Sequence, residues 1–169
     1  SENVHIHHIL HSSTAPAPLS KNIAEHAHTL AEQLADTLEV VGLLAVEFFL
    51  TQDDQLIVNE MAPRPHNSGH YTIDACHTSQ FQQHIRAITG LPLGKTDTHT
   101  PAVMINILGD LWSKTSPPWN LLFKNPSTQL HLYDKGEARK GRKMGHYTVL
   151  DQNLSLAKKE AEALFLELK

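Results

Sequence analysis

Apolar and polar positions alternate along this chain with two periods, and the changes of period mark its elements. Ile23, Ala27, Leu30, Leu34 and Leu38 recur at helical spacing behind a plausible N-cap at Ser20, which predicts a helix over Lys21–Leu38. Leu43–Thr51 and Gln55–Pro63 are rich in Val, Ile, Leu and Phe and flank the polar break Asp53-Asp54, the pattern of a β-hairpin. A short helix over His70–His77 follows. A second, Gln80–Thr89, is capped by Thr78 or Ser79 and closed by Gly90 and Pro92, with Phe81, Ile85 and Ile88 facing inward. Ala102–Leu108, AVMINIL, reads as an apolar strand, and Gln129–Tyr133 alternates into a turn with a returning strand. Leu154–Lys169 reads as a terminal amphipathic helix with Leu156, Ala163, Leu164 and Leu168 inward. Near the start, HIHHILH at residues 5–11 alternates with Ile6, Ile9 and Leu10 as an ordinary strand rather than a ligand cage. Ser12–Leu19 reads as a Pro-broken connector. Leu111–Asn125, with two Trp and a Pro pair, has no decisive pattern. The polar segment Leu91–Thr100 is the one boundary the pattern supports, dividing residues 1–95 from 96–169.

Composition narrows the class. A chain of 169 residues suffices for one domain with a real core or two small lobes. The net charge of −4 carries no general nucleic-acid footprint, although residues 135–143 are locally basic. No run of eighteen apolar residues occurs, so no membrane span is expected, and the start lacks the pattern of a signal peptide. The single Cys76 fits a reducing compartment, and a cytoplasmic location is expected.

The hairpin carries candidate chemistry. With a two-residue loop at Asp53-Asp54, Gln52 pairs with Gln55, Leu50 with Ile57, and Glu47 lies opposite Glu60. Like charges directly opposite repel by about 0.2–1 kcal/mol, and more in apolar surroundings. Such a pair calls for a shared proton or a cation, unless both acids are solvated on an exposed edge. Mg²⁺ typically takes one or two carboxylates and completes its shell with water and phosphates. Glu60, Ala62 and Arg64 share a face along the strand. A second cluster, Lys135, Arg139, Lys140, Arg142 and Lys143, is interleaved with Gly136 and Gly141. It reads either as a phosphate-binding turn or as a solvated basic one.

NEMAPRPHNSGHYTIDACHTSQFQQHIRAITGLPLG, residues 59–94, resembles the C-terminal half of an ATP-grasp enzyme. More closely, it is similar to the 5-(carboxyamino)imidazole ribonucleotide synthetase family. ENVH at residues 2–5 with Ile9-Leu10, and YDK…R-x-GRK-x-GH at residues 133–146, extend the resemblance over most of the chain. It implies an α+β fold: the C-terminal half of an ATP-grasp domain, an antiparallel sheet with packed helices, plus a small β-rich C-terminal domain. It also implies an ATP-dependent ligase of purine synthesis that carboxylates aminoimidazole ribonucleotide with bicarbonate through carboxyphosphate. By the same resemblance Glu47 and Glu60 hold Mg²⁺, and His5, Asn59 and Glu60 lie at ATP. Arg64, His66 and Asn67 hold bicarbonate, with His66 either a general base or a positioning group. Lys135, Arg142 and Lys143 hold the ribonucleotide phosphate. The chain departs from the family where His8 replaces a Gly and where Lys135 to Arg139 is slightly longer. Ala62 stands where many ATP-grasp enzymes have a metal-binding Asn. No Gly-rich phosphate loop or adenine-pocket motif is present. The resemblance therefore implies a C-terminal fragment of a commonly dimeric enzyme, inactive without its N-terminal half, with apolar surface uncovered around Leu44, Val46 and Phe48. Two rivals stay open: a formate-using purine transformylase, and a non-catalytic fragment that binds metal or a partner.

Overall fold

The computed structural model describes residues 1–112 and 116–169. The chain opens with a hairpin, β1 (Glu2–Ile6) and β2 (Ile9–Ala15), where the His-rich pattern predicts one strand. Its turn is His7-His8, with φ of 49° and 64°. Two consecutive residues at positive φ make the tight loop whose twist matches the flanking strands. The same φ accounts for the Gly that the resembling family carries at the position of His8.

β2 runs on through Ser12–Ala15, the predicted connector. These four residues are buried because β2 pairs with β5 (Ala102–Leu108), Ser12 opposite Ile105 and Ala15 opposite Ala102. Small hydroxyl side chains gave this strand no hydrophobic signature. The next element, α1 (Lys21–Thr37), starts where the Ser20 hydroxyl accepts from the Ile23 N–H at 3.4 Å. Its stripe is only half covered, and Leu38 is exposed.

β6 (Thr128–Leu132) and β7 (Lys143–Leu150) complete an antiparallel sheet in the order β1-β2-β5-β7-β6. Leu91–Thr100 therefore divides the sequence but not the sheet, which takes strands from both sides of it. α4 (Leu154–Glu167) covers one face, packing Ala157, Ala161, Leu164 and Leu168 against Val103, Ile105, Ile107, Tyr147 and Val149. The predicted inward residues Leu156 and Ala163 are exposed instead. Two alanines at the contact bring the helix backbone close enough for the Tyr147 hydroxyl to donate to Ala161 O at 2.7 Å. In the Leu111–Asn125 stretch, 3-10 turns over Gly109–Trp112 and Trp119–Lys124 place two indoles 5.2 Å apart beside this core. Residues 113–115 of that stretch lie outside the described ones.

Between the hairpin and β5 lie a 3-10 turn (Asn67–Gly69), α2 (Thr72–Ala75) and α3 (Gln80–Ile88). Ser79 caps α3 reciprocally: its hydroxyl accepts from Gln82 N–H at 3.3 Å, and Gln82 Oε1 accepts from Ser79 N–H at 2.9 Å. Phe81, Ile85 and Ile88, predicted inward, are 40%, 55% and 49% exposed. α3 is docked by amides instead. Gln83 accepts from Gly94 N–H at 2.8 Å and donates to Gly94 O at 3.0 Å, while Gln80 holds His66 in the same two-pronged way.

Candidate functional site

β3 (Ala45–Leu50) and β4 (Leu56–Ala62) form the expected hairpin, with a different tip. The loop has three residues, 52–54, closed by Thr51 N–H to Gln55 O at 3.0 Å, with Asp54 at φ 62°. Leu50 consequently pairs with Leu56, not Ile57, and Phe48 with Val58. A bulge then shifts the register by one residue and leaves Asn59 as the extra residue, so Glu47 still faces Glu60. Two register errors cancel, and the acids share one face of the ribbon. Uncovered apolar side chains lie at the tip and on β4, at Phe49, Leu50, Ile57 and Val58. Leu44, Val46 and Phe48 are half-buried, contrary to expectation. The pleat accounts for part of this, since the shifted register puts Phe49 opposite Ile57 on the outward side of the tip.

The environments of the two acids differ. The Glu47 side chain is 13% exposed. Asn3 Nδ2 donates to its Oε1 at 3.4 Å, and Asn3 Oδ1 in turn accepts from the Ser13 hydroxyl at 2.9 Å, which ties β3 to the first hairpin. His66 Nδ1 lies 3.7 Å from the same oxygen. Glu60 is exposed and forms no ion pair among the described residues. Two opposed carboxylates supply hard oxygen donors only, a donor set that suits Mg²⁺.

The loop after β4 is built from polar contacts. The exposed Arg64 donates to Pro65 O at 3.0 Å. His66 Nδ1 accepts from Ser68 N–H at 3.4 Å and meets Ser68 Oγ at 2.8 Å. Asn67 and the buried Asn106 exchange amide hydrogen bonds of 3.0 and 2.7 Å, and Asn106 also donates to Leu10 O at 2.9 Å. The Asn67 amide thus anchors the loop to the central strand.

The basic turn approaches the same site with part of its charge. Burial pushes the Lys143 ammonium below its usual range; Lys135 and Arg64 push the same way, and Glu47 and Glu60 oppose them. Hairpin acids, Arg64 and two lysines from the far end of the chain therefore share one electrostatic neighbourhood. The rest of the turn folds on itself. Arg142 donates to Glu137 O at 3.2 Å, Arg139 Nε meets Glu137 Oε2 at 3.0 Å, and Gly141 N–H donates to Asp110 at 2.6 Å. Gly109 lets this turn close, because a Cβ there would come within 2.1 Å of Arg139 O. Lys140 is exposed, as are His5 on β1 and Asn59 on β4.

A partly buried group that the sequence reading missed lies beside it. His131 and His146 face each other across β6 and β7, their rings stacked at 4.6 Å and 15°. Both Asp74 oxygens lie 3.0 Å from His131 Nε2, and the Tyr133 hydroxyl lies 2.6 Å from His146 Nδ1. The ligand atoms of Asp74, His131 and His146 are within 4.8 Å of one another. Imidazole lone pairs lie in the ring plane, however, so stacked rings do not converge on one ion, and the group reads as two hydrogen-bonded pairs, His131–Asp74 and His146–Tyr133, stacked on each other. Burial, then His131 and His70, push His146 down to about 3, and burial pushes Tyr133 up to about 12. The sequence held one clue: HLYDK and GRKMGH bracket the turn, and a hairpin there sets the two histidines opposite each other.

Residues 1–81 match the family model of the ATP-grasp domain, and residues 102–160 match that of the phosphoribosylaminoimidazole carboxylase C-terminal domain. The chain is 54% identical over 152 residues to the N5-carboxyaminoimidazole ribonucleotide synthase of Bacillus subtilis (strain 168), covering 90% of this chain and 39% of that protein. The chain belongs to the N5-carboxyaminoimidazole ribonucleotide synthase family. The Brucella melitensis synthase is likewise 54% identical, over 148 residues, covering 88% of this chain and 40% of that one. Among solved synthases, an ADP complex superposes with TM-score 0.88 at 47% identity, covering 97% of this chain and 43% of that one. The Aspergillus clavatus synthase in complex with ADP and 5-aminoimidazole ribonucleotide gives 0.88 at 35% identity, covering 98% and 45%. The fold is the α+β arrangement of antiparallel sheets with helices expected of this family. The chain spans about two-fifths of the length of these curated synthases.

Proposed function

We propose that this chain supplies the metal, bicarbonate and substrate-phosphate portion of an ATP-dependent ligase that carboxylates 5-aminoimidazole ribonucleotide. One observation carries the reading: Glu47 and Glu60 oppose each other across the hairpin, with Arg64, Lys135 and Lys143 in the same electrostatic neighbourhood. Glu47 and Glu60 would hold Mg²⁺, which, when bound, neutralises charge on ATP phosphates during phosphoryl transfer. His5, Asn59 and Glu60 border the nucleotide. Arg64 forks onto bicarbonate oxygens from the loop that Asn67 pins to the sheet. Bicarbonate attacks the γ-phosphate, forming carboxyphosphate and releasing ADP. The substrate amine then attacks the carboxyl carbon, phosphate leaves, and the carbamate remains. His66, beside Glu47 and Ser68, orients bicarbonate or accepts a proton from the amine. Lys135 and Lys143 hold the ribonucleotide phosphate, and Arg142 keeps their turn closed. Water must be excluded, since carboxyphosphate hydrolyses readily. The adenine pocket and the phosphate-covering loop come from further chain, so this segment alone turns over no substrate. The complete enzyme is a cytoplasmic homodimer.

The test is a chimera in which this chain replaces the matching segment of the Bacillus subtilis synthase. Phosphate release from ATP is expected to need both bicarbonate and aminoimidazole ribonucleotide. Lys143→Ala should raise KM for the ribonucleotide by roughly 10- to 150-fold, the equivalent of losing a charged hydrogen bond of about 1.5–3 kcal/mol. Phosphate release that ignores bicarbonate, or that formate supports in its place, contradicts the proposal.

A further inference from the structure

Gln80 opens α3 and is 8% exposed. Its Oε1 accepts from His66 N–H at 2.9 Å, and its Nε2 donates to His66 O at 2.8 Å. A main-chain N–H only donates and a carbonyl only accepts, so these two contacts fix which end of the amide is nitrogen. The second hydrogen on Nε2 reaches His70 Nδ1 at 2.8 Å. That Nδ1 therefore accepts, and the neutral ring carries its proton on Nε2. Protonating Nδ1 would set one N–H against another. His70 is held down at about 4, by burial first and then by Lys143, His66, His131 and Lys135.

The surroundings enforce this contact. Thr72 Oγ1 accepts from Gln80 N–H at 3.0 Å and donates to Gly69 O at 2.6 Å. A Cβ on Gly69 would lie 2.8 Å from Gln80 Oε1, so glycine leaves room for the amide. One glutamine thus joins the start of α3, the His66 main chain and the His70 ring. The two lysines near His70 attract an anion, and a neutral imidazole there offers a donor without adding to their mutual repulsion.

We propose that Gln80 is a positioning residue that fixes His70 as a neutral Nε2–H donor to a phosphate-type oxyanion drawn in by Lys135 and Lys143. The identity of that oxyanion as the ribonucleotide phosphate rests on the ligase reading above; the tautomer does not.

Long-range ¹H–¹⁵N correlation spectra of the ¹⁵N-labelled chain test it. His70 should show a protonated Nε2 and a bare Nδ1 at neutral pH. Added inorganic phosphate should move its Nε2 resonances. In Gln80→Glu the carboxylate can only accept, so His70 should switch to a protonated Nδ1. A wild-type ring already protonated at Nδ1, an unchanged tautomer in folded Gln80→Glu, or His70 signals indifferent to phosphate each overturns the proposal. The wild-type spectra decide even if the variant misfolds. No arm needs turnover: an inactive chimera with the expected tautomer counts against the ligase reading alone, and an active one with the wrong tautomer against this inference alone.

Discussion

At the scale of single residues, a buried imidazole, His146, and a half-buried one, His70, make the fold acid-sensitive. His70 and His146 are held at about 4 and about 3, against 6.5 for a free imidazole. His70 faces Lys143, His66, His131 and Lys135, with the Gln80 amide on Nδ1; His146 faces His131 and His70, with Tyr133 on Nδ1. A base whose folded pKa is lowered binds protons more readily when unfolded. Its contribution is therefore whole above about 6.5 and is lost as pH falls toward 4 and then 3. The urea midpoint should fall steadily from pH 7 to pH 4, and His70→Gln should make that decline shallower. A midpoint flat over this range would contradict the buried neutral state. The same residues show what the sequence left hidden. His131 lies opposite His146 through strand pairing, and Gln80 finds His66 through a loop, so neither partnership has a local period to betray it.

At the scale of elements, local rules were legible and long-range ones were not. The Ser20 cap and the span of α1 follow from spacing alone and match the structure closely. So does the apolar strand β5, and of the two expected caps for α3, Thr78 and Ser79, the structure uses Ser79. The opposition of Glu47 to Glu60 was expected, though it arises through a three-residue loop and a bulge rather than a plain register. On α3 the large apolar residues Phe81, Ile85 and Ile88 are not the buried ones, whereas on α4 Leu164 and Leu168 are buried as expected and only Leu156 and Ala163 are not. Close approach to the sheet selects Ala157 and Ala161, and amide contacts select Gln80 and Gln83. β2 has no apolar signature beyond His11 for a similar reason, since Ser12, Ser13 and Thr14 fill a tight strand pairing. Its turn supports a prediction. His8 at φ 64° is in a region that glycine occupies freely, so His8→Gly should stabilise the chain by about 1 kcal/mol. A rise of a few degrees in Tm checks this, and a fall would show that the imidazole makes a compensating contact.

At the scale of the whole molecule, one sheet joins the two family segments. β2 carries the ATP-grasp part into pairing with β5, and β7 begins at Lys143, whose ammonium feels the charges of Glu47, Arg64 and Glu60. Asn106, on the central strand, holds that loop through Asn67. The central claim is that acids from the hairpin and lysines from the turn surround one cation and phosphate site. Mn²⁺, a hard paramagnetic substitute for Mg²⁺, reads this directly on the chain. Titrated into ¹⁵N-labelled protein, it should broaden the signals of Glu47, Glu60, His66 and Lys143 together, and the effect should vanish in Glu60→Gln. Broadening confined to the His5–His11 tract or to Asp74 and His131, or broadening unchanged in Glu60→Gln, would contradict the account.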